Sequence, residues 1–269
     1  MNRLDKADKV RAFFRDNPST LVLLSGGVDS AVLALLASEG APGETKALTF
    51  RTPLVKEDEI EMAEAVAEML DIDLQIEDID VTSDPQVSAN PGDRCYFCRK
   101  ILHGEATKYA RTAGLTAIAD GVQADDLVEG RPGVRSAAED GILHPLAEAG
   151  LTKSEIRELA RSAGLPNSER PAAPCIATRF PPGVPISRIW IERIAKGEEF
   201  LAREGYENSR IRLFPPGLAS IEIEVHEMPR FWDMRERVFE TLHELGFPVV
   251  SLDIEGLKRG KMERFLEVE

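Results

Sequence analysis

The sequence has few of the features that direct a chain to a membrane or to an oxidising compartment. Its 269 residues include only three cysteines, and no apolar run approaches the length of a membrane span. The opening stretch, MNRLDKADKVRAFF, lacks the apolar core of a signal peptide. We therefore expect a cytoplasmic protein with neither a disulfide framework nor a membrane partner.

Positive charge is also scarce. The 33 Lys and Arg residues stand against 47 Asp and Glu, which gives a formal net charge of −14. A surface of that sign repels the phosphates of nucleic acid, so no nucleic-acid partner is expected. An anionic small molecule would need arginines gathered locally. With 43% hydrophobic residues the chain is otherwise typical of a globular protein.

The most informative stretch is LVLLSGGVDS, residues 21–30. Its four leading apolar residues predict a buried strand, and the apolar run AVLALLA that follows predicts a helix ending at Gly40. Gly26 and Gly27 let the backbone of the intervening loop approach a ligand closely. The unpaired N–H groups of the helix start favour an anion there. The pattern predicts a phosphate or pyrophosphate site.

Three side chains of this loop add polar chemistry. Ser25 and Ser30 supply hydroxyl donors, and Asp29 is a candidate to hold a metal or to orient a bound group. The alternative is a glycine turn capped by Asp29 and Ser30 with no ligand. A P-loop of the Walker type is excluded, because no Gly-Lys-Ser/Thr follows.

Strands and helices alternate through the first half of the chain. Strands are predicted at 21–24, 46–50, 74–79 and 115–120, with apolar residues at helical spacing between them. This order predicts an α/β fold with a parallel sheet. Ligands of such sheets bind beyond the carboxyl ends of the strands, where SGGVDS lies.

A proline-rich stretch marks the predicted domain boundary. Five prolines fall within the fifteen residues PAAPCIATRFPPGVP, which excludes a helix there. We predict a nucleotide-binding domain over 1–170, a linker over 171–186 that carries Cys175, and a smaller α+β domain over 187–269.

The cysteines form the sequence's second candidate site. Cys95 and Cys98 have CxxC spacing in a segment whose Pro, Gly, Asn and Ser content predicts a loop, and Cys175 lies in the proline-rich segment. CxxC is compatible with zinc, redox chemistry or an iron–sulfur cluster. A structural zinc would need His103 or His144 as fourth ligand. Three thiolates would leave one iron of a [4Fe–4S] cluster open to sulfide.

Acidic residues follow the fourth predicted strand in the segment DGVQADD. Asp125 and Asp126 at the carboxyl end of a strand could hold Mg²⁺ on triphosphate oxygens. A solvated acidic loop is the alternative.

Charged residues recur at every second position of two strands predicted in the C-terminal part. Arg210 and Arg212 share one strand face, where two guanidinium groups could clamp a phosphate or carboxylate; the alternative is two solvent-facing arginines on an amphipathic strand. Glu222 and Glu224 on the next strand have the same two interpretations. A further glutamate, Glu198, is predicted to lie on a solvated helix face.

Together these segments resemble one family over nearly the whole chain. The resemblance is carried by LSGGVDS, RCYFCRK, DGVQADDLVEGRPGVRSA, HPLAEAGLTKSEIRELA, PAAPCIATRFP and RIRLFPPGLASIEIE. The chain resembles the ATP-dependent sulfur transferases of nickel-pincer nucleotide biosynthesis, the LarE family, within the adenylating ATP pyrophosphatases. SGGVDS alone implies only the wider superfamily.

The resemblance implies a reaction and its cofactors. The family adenylylates the carboxylates of pyridinium-3,5-biscarboxylic acid mononucleotide with ATP and Mg²⁺, and sulfur then displaces AMP. Members with one cysteine at the Cys175 position give up its sulfur, whereas three-cysteine members hold a [4Fe–4S] cluster that carries sulfide. The three cysteines of this chain favour the cluster type, fed by sulfide or another sulfur donor. The family also implies a homo-oligomer.

The resemblance assigns roles to named residues. Those implied to bind ATP are Ser25, Gly26, Gly27, Asp29, Ser30 and Asp125, the last also a possible Mg²⁺ ligand. Those implied to hold the substrate are Arg179, Arg210, Arg212 and Glu222. Those implied to act in catalysis are Cys175, Asp29 and Arg179, and the implied cluster ligands are Cys95, Cys98 and Cys175.

Two positions depart from the family pattern. Ser220 stands where many relatives carry arginine, and Arg99 stands where a CxxCK lysine is usual; both put details of the substrate in doubt. The nearest rival is a transfer-RNA thiolase, against which the charge of −14 argues because RNA binding needs a basic surface. An ATP-binding sensor without turnover is the rival from another class.

Overall fold

The computed structural model describes residues 2–42, 45–129, 132–171, 173–258 and 260–266. The chain divides into two compact units. Unit one comprises residues 1–81 and 95–173, and unit two comprises residues 82–94 and 174–269. Among the described residues, no helix combines the length and apolar character needed to cross a bilayer.

Seven strands in the described residues form two sheets. They are β1 (Thr20–Leu23), β2 (Lys46–Arg51), β3 (Asp73–Asp78), β4 (Ala117–Ala119), β5 (Arg210–Phe214), β6 (Leu218–Glu222) and β7 (Val249–Leu252). In unit one the order is β3-β2-β1-β4 and every pairing is parallel. In unit two the order is β5-β6-β7, antiparallel and then parallel. The predicted α/β fold with a parallel sheet and a smaller mixed region is confirmed.

The described helices surround these strands. In chain order they are α1 (Arg3–Asp16), α2 (Val28–Gly40), α3 (Glu57–Met69), α4 (Pro85–Ser88), α5 (Arg94–Thr112), α6 (Ala124–Glu129), α7 (Pro132–Asp140), α8 (Pro145–Glu148), α9 (Lys153–Ser162), α10 (Arg188–Arg203), α11 (Met228–Asp233) and α12 (Arg235–Glu244). The sequence of residues 229–245 predicts one helix, and this prediction is wrong in detail, because the structure has the two helices α11 and α12 there.

The sheet of unit one is covered by helices on both faces. Side chains alternate along β1, so that Val22 packs into the cluster containing α1, α2 and α9, while Leu21 packs against Ala106 and Ala110 of α5. A strand buried on both sides must be apolar throughout, which explains the run LVLL. The carboxyl end of β1 thereby lies at the centre of the sheet edge, next to that of β4.

Unit two packs α10 closely against its sheet. Ile211 of β5 is fully buried, and a Cβ on Gly197 would lie 2.5 Å from its Cδ1 and 2.9 Å from Leu242. A Cβ at Gly197 would displace the ends of these two side chains, so glycine at this position lets α10 pack closely on β5. This close packing fixes the face of β5 that carries Arg210 and Arg212.

Candidate functional site

The two glycines of the SGGVDS loop have different structural roles. Gly26 has φ of +79°, and a Cβ there would lie 2.2 Å from the carbonyl oxygen of Glu59 in α3. The fold itself therefore requires glycine at this position. Gly27 has an ordinary φ of −72°, and its Cβ would meet only Ser25 Oγ at 3.5 Å. Gly27 is the glycine whose open side is available to a ligand.

The two serines of the loop also differ. Ser30 is buried and holds the loop closed: it accepts from Ser25 N at 3.1 Å, lies 3.1 Å from Ser25 Oγ, and donates to Gly27 O at 3.0 Å. Ser25 is exposed. Of the two predicted hydroxyl donors, Ser25 faces solvent and Ser30 braces the backbone around it.

Asp29 is the charged residue of the loop. Its Oδ2 accepts from Lys153 Nζ at 2.5 Å, and its Oδ1 is buried without a hydrogen-bond partner among the described residues. Burial raises the pKa of Asp29, and the charge of Lys153 opposes that rise only in part. An acceptor oxygen in this state suits a cation or a donor on a ligand.

Lys153 connects this carboxylate with a second one. Its backbone N–H donates to Asp125 Oδ2 at 2.9 Å while its ammonium group holds Asp29. The residue lies in the first turn of α9, behind a capping box formed by Thr152 and Glu155. Asp29 and Asp125 are thus brought to one lysine across 96 residues of sequence. The pattern TKSE is that of a capping box, but nothing in it indicates this contact.

A second polar group lies at the end of β4. Asp120 is buried, accepts from Arg99 at 3.0 Å and lies 2.7 Å from His144 Nδ1. Burial alone would raise the pKa of Asp120, but the hydrogen bond from His144 and the charge of Arg99 lower it below its usual value. The next residue, Gly121, packs against the backbone N of Ser30, where a Cβ would lie 2.7 Å away. Arg99, which departs from the family pattern, is thereby tied to the strand edge beside the loop.

The CxxC pair lies on a helix, so the prediction of a loop is wrong. Cys95 and Cys98 occupy the first turns of α5, where a spacing of three places them on one face. Cys95 is exposed and Cys98 half-buried. Tyr96 of the same turn donates to Glu139 of α7 at 2.7 Å, which holds the two helices together.

The fit of a metal cluster can be judged from the donor set. Among the described ranges there is no group of three or more His, Cys, Asp or Glu side chains placed to hold a metal ion. A [4Fe–4S] cluster is therefore not supported by the described residues. Cys95 and Cys98 belong to unit one and Cys175 to unit two.

In unit two, Cys175 is the N-terminal cap of a short 3-10 helix, Ile176–Arg179, and is exposed. Arg179 at the end of this helix is buried and folds back on it. Its Nη1 donates to Pro174 O at 2.9 Å and to Thr178 Oγ1 at 3.1 Å, and lies 3.5 Å from Cys175 O. The exposed thiol is thus carried on a backbone segment fixed from inside.

The other side of Arg179 is occupied by a carboxylate. Nε and Nη2 donate to the two oxygens of Glu198 at 2.8 and 2.9 Å, and both side chains are 2% exposed. Glu198 also accepts from Ile211 N of β5 at 3.0 Å. The prediction that Glu198 lies on a solvated helix face is wrong, because α10 turns this residue towards β5 and the buried guanidinium needs a counter-charge.

Arg212 forms a second buried pair. Its Nη2 donates to Glu222 at 2.8 Å and its Nη1 to the carbonyl of Thr178 at 2.6 Å. The other oxygen of Glu222 lies 3.4 Å from Lys261 Nζ. Ser220, the second departure from the family pattern, is the cross-strand neighbour of Arg212. Arg212 and Arg179 together hold the backbone that carries Cys175.

Arg210 is the member of this group with a different environment. No hydrogen-bond acceptor or carboxylate lies within bonding distance of its guanidinium among the residues that the structure describes. Burial and the neighbouring charges of Arg212 and Arg179 lower the pKa of Arg210, while Glu222 and Glu198 oppose that effect. Three arginines against two buried carboxylates leave an excess positive charge, which an anion would balance.

Comparison with known families places the class of the protein. A model of the asparagine synthase family matches residues 4–172, which include β1, the loop and α2. The parallel sheet and the loop at the carboxyl end of its central strand agree with this match. The chain is an α/β protein of the pyrophosphate-loop class.

Relatives that match most of the chain define its family more narrowly. An uncharacterized protein of Synechocystis is 35% identical over 97% of this chain and 98% of that protein. The pyridinium-3,5-bisthiocarboxylic acid mononucleotide synthase of Lactiplantibacillus plantarum is 30% identical over 93% of this chain and 91% of its own. An uncharacterized protein of Methanocaldococcus jannaschii is 30% identical over 89% and 90%. The chain belongs to the family of the pyridinium-3,5-bisthiocarboxylic acid mononucleotide synthase, and this membership supports an ATP-utilising sulfurtransferase.

Proposed function

We propose that the protein uses ATP to insert sulfur into pyridinium-3,5-biscarboxylic acid mononucleotide. The observation that carries the proposal is the relationship to the Lactiplantibacillus plantarum synthase over 93% of the chain, which spans both the phosphate loop and the Cys175 segment. A carboxylate is a poor acyl donor, whereas an acyl adenylate has AMP as its leaving group. ATP therefore supplies the activation that thiocarboxylate formation needs.

In the first half-reaction a substrate carboxylate oxygen attacks the α-phosphorus of ATP, and pyrophosphate leaves. Gly26, Gly27 and the first turn of α2 present backbone N–H groups to the departing pyrophosphate, with Ser25 as an additional donor. Ser30 keeps the loop in shape. Mg²⁺ would neutralise the phosphate charge, and the unpartnered oxygen of Asp29 with Asp125 is the carboxylate pair that suits it.

In the second half-reaction sulfur replaces AMP. The thiolate of Cys175 attacks the acyl carbon, and the bond to the AMP oxygen breaks to give a thioester. Loss of the Cys175 α-proton and cleavage of the Cβ–S bond then release the thiocarboxylate and leave dehydroalanine, with no net oxidation. The exposure of Cys175 on a segment fixed by Arg179 supports this role.

The arginine group of unit two is proposed as the substrate site. Arg210, with its lowered pKa and without a bonded carboxylate among the described residues, is the guanidinium we assign to the substrate phosphate. Arg212 and Glu222 would fix the strand geometry, and Arg179 would position Cys175. A [4Fe–4S] cluster on the three cysteines and a homo-oligomeric assembly remain predictions of the family resemblance.

The test is pyrophosphate release measured with synthetic mononucleotide substrate, alongside the mass of the chain after turnover. We expect release that depends on the substrate, and a chain mass reduced by one H₂S per thiocarboxylate formed. Cys175→Ala should still release pyrophosphate but form no thiocarboxylate, because adenylylation does not use the thiol. Asp29→Ala should abolish pyrophosphate release.

Three outcomes would contradict the proposal. Pyrophosphate release stimulated by transfer RNA instead of the mononucleotide would restore the thiolase alternative. Thiocarboxylate formation by Cys175→Ala would show that the Cys175 thiolate is not the nucleophile. Repeated sulfide-fed turnover, with about four irons per chain after anaerobic reconstitution, would replace cysteine donation by the cluster type.

A further inference from the structure

A buried asparagine contacts the phosphate loop from a distant part of the chain. Asn167 lies in the segment after α9 and is 1% exposed. Its Nδ2 donates to the carbonyl of Gly26 at 2.8 Å, and its Oδ1 is buried without a partner among the described residues. We infer that Asn167 is a positioning residue for the phosphate loop, which it serves by fixing the peptide between Gly26 and Gly27. The inference deepens the proposed ATP site and rests on that proposed function.

The geometry of one peptide group links Asn167 to the ligand side of the loop. The bond between Gly26 and Gly27 is trans, so the carbonyl of Gly26 and the N–H of Gly27 lie in one plane and point in opposite directions. A hydrogen bond that holds the carbonyl on the Asn167 side therefore directs the N–H to the other side. That N–H has no acceptor among the residues that the structure describes. It is available to a phosphate oxygen.

A side chain is needed for this because the loop could otherwise turn. Two consecutive glycines lack the Cβ atoms that restrict φ and ψ, and a peptide between them flips at little steric cost. The helix that follows fixes Gly27 from one side only. Asn167 supplies the missing restraint on the carbonyl. Burial of an amide with an unpaired oxygen is costly, so apolar packing alone would not account for asparagine at this position.

The segment that carries Asn167 is itself held on two sides. Arg157 of α9 donates to the carbonyl of Arg170 at 3.3 Å. Arg170 donates to the carbonyl of Asp58 at 3.0 Å and pairs with Glu59 at 2.9 Å. Glu59 is also the residue whose backbone requires glycine at Gly26. One segment thus fixes the loop and the start of α3 against which the loop packs.

The experiment compares two ligands in a variant of matched shape. Asn167→Leu keeps the branched shape and the number of heavy atoms of the side chain and adds no charge, but removes the donor. We expect its Kd for Mg²⁺-pyrophosphate, measured by calorimetry, to rise about tenfold while its Kd for the mononucleotide substrate stays unchanged. Asn17→Leu is the control, because Asn17 also donates from Nδ2 to a carbonyl, that of Phe13 at 2.9 Å, and lies outside the loop.

The outcomes separate this inference from its rivals. A folded Asn167→Leu that binds pyrophosphate like the wild type overturns it, as does an equal loss for both ligands, which indicates a general structural role. If Asn167→Leu fails to fold, Asn167→Ala is judged by the same ratio of Kd values. Wild-type protein without pyrophosphate affinity also overturns it. If Asn167→Leu weakens pyrophosphate binding as expected but the wild-type protein forms no thiocarboxylate, the inference is supported and the proposed reaction is contradicted.

Discussion

Two regions that we propose to bind anions, the SGGVDS loop of unit one and the arginine group of unit two, are built by different means. The loop presents backbone N–H groups, and its side chains mainly hold that backbone in place, as Ser30 does. The arginine group presents side-chain charge, and two of its three guanidinium groups are bound to buried carboxylates. A backbone site needs correct φ and ψ values, whereas a side-chain site needs counter-charges.

Each region keeps one charged group in an environment that disfavours its charge. Burial raises the pKa of Asp29, and burial with two neighbouring arginines lowers the pKa of Arg210. Groups of this kind are candidates for a functional site, because the charge that costs stability is available to a ligand. In unit one Lys153 pairs with Asp29, and in unit two Arg179 and Arg212 pair with Glu198 and Glu222. Each site therefore contains residues that hold its structure and one residue whose charge is available to a ligand.

The largest effect on stability is expected when one partner of a buried ion pair in unit two is removed. Glu198→Ala leaves the guanidinium of Arg179 buried without its counter-charge, which should lower the free energy of unfolding by about 3–5 kcal/mol. Glu199→Ala is the matched control, since its pair with Arg203 is exposed at 3.9 Å and should contribute about 0–1 kcal/mol. Urea unfolding of both variants measures the difference, and equal losses would show that the buried pair does not support the Cys175 segment.

An intermediate effect is expected at the two glycines of unit one. Gly26→Ala should lower the free energy of unfolding by about 1–2 kcal/mol, because the backbone at this position is left-handed. The loss should be larger still because the added Cβ would lie 2.2 Å from Glu59 O. Gly27→Ala should leave stability nearly unchanged and weaken pyrophosphate binding, because its Cβ would project on the open side. Thermal unfolding and calorimetry distinguish them. Normal pyrophosphate binding by Gly27→Ala would count against a backbone site.

The smallest effect concerns the pH dependence of Asp29. Because its pKa in the folded state is raised above 3.8, protonation of Asp29 favours folding at low pH, and that contribution is lost as the pH rises through the folded pKa. At neutral pH the ionised carboxylate therefore costs stability. Asp29→Asn should be slightly more stable than the wild type at pH 7, with the gap closing below pH 3.8. A variant less stable than the wild type at pH 7 would mean that the pair with Lys153 outweighs burial.

Much of unit one was predictable because its signals are local. The apolar run before SGGVDS, the glycines within it and the cap at Thr152 each act over a few residues, and the strand, loop and helix follow from them. The CxxC turn was mispredicted because the Pro, Gly and Asn residues before it end at the helix start and do not extend into it. The domain boundaries proposed from the sequence, and the roles of the site residues, stay predictions.

The sequence by itself determined the fold class, the position of the phosphate loop and the alternation of Arg210 and Arg212 on one strand, since each depends on short-range periodicity or on backbone freedom. Only the tertiary structure decided which charged and polar groups pair. Lys153 reaches Asp29 across 124 residues, Asn167 reaches Gly26 across 141, and Glu198 is turned inwards to Arg179. Such partners are selected by distance in space and by the cost of burying an unpaired charge, and neither is visible along the chain.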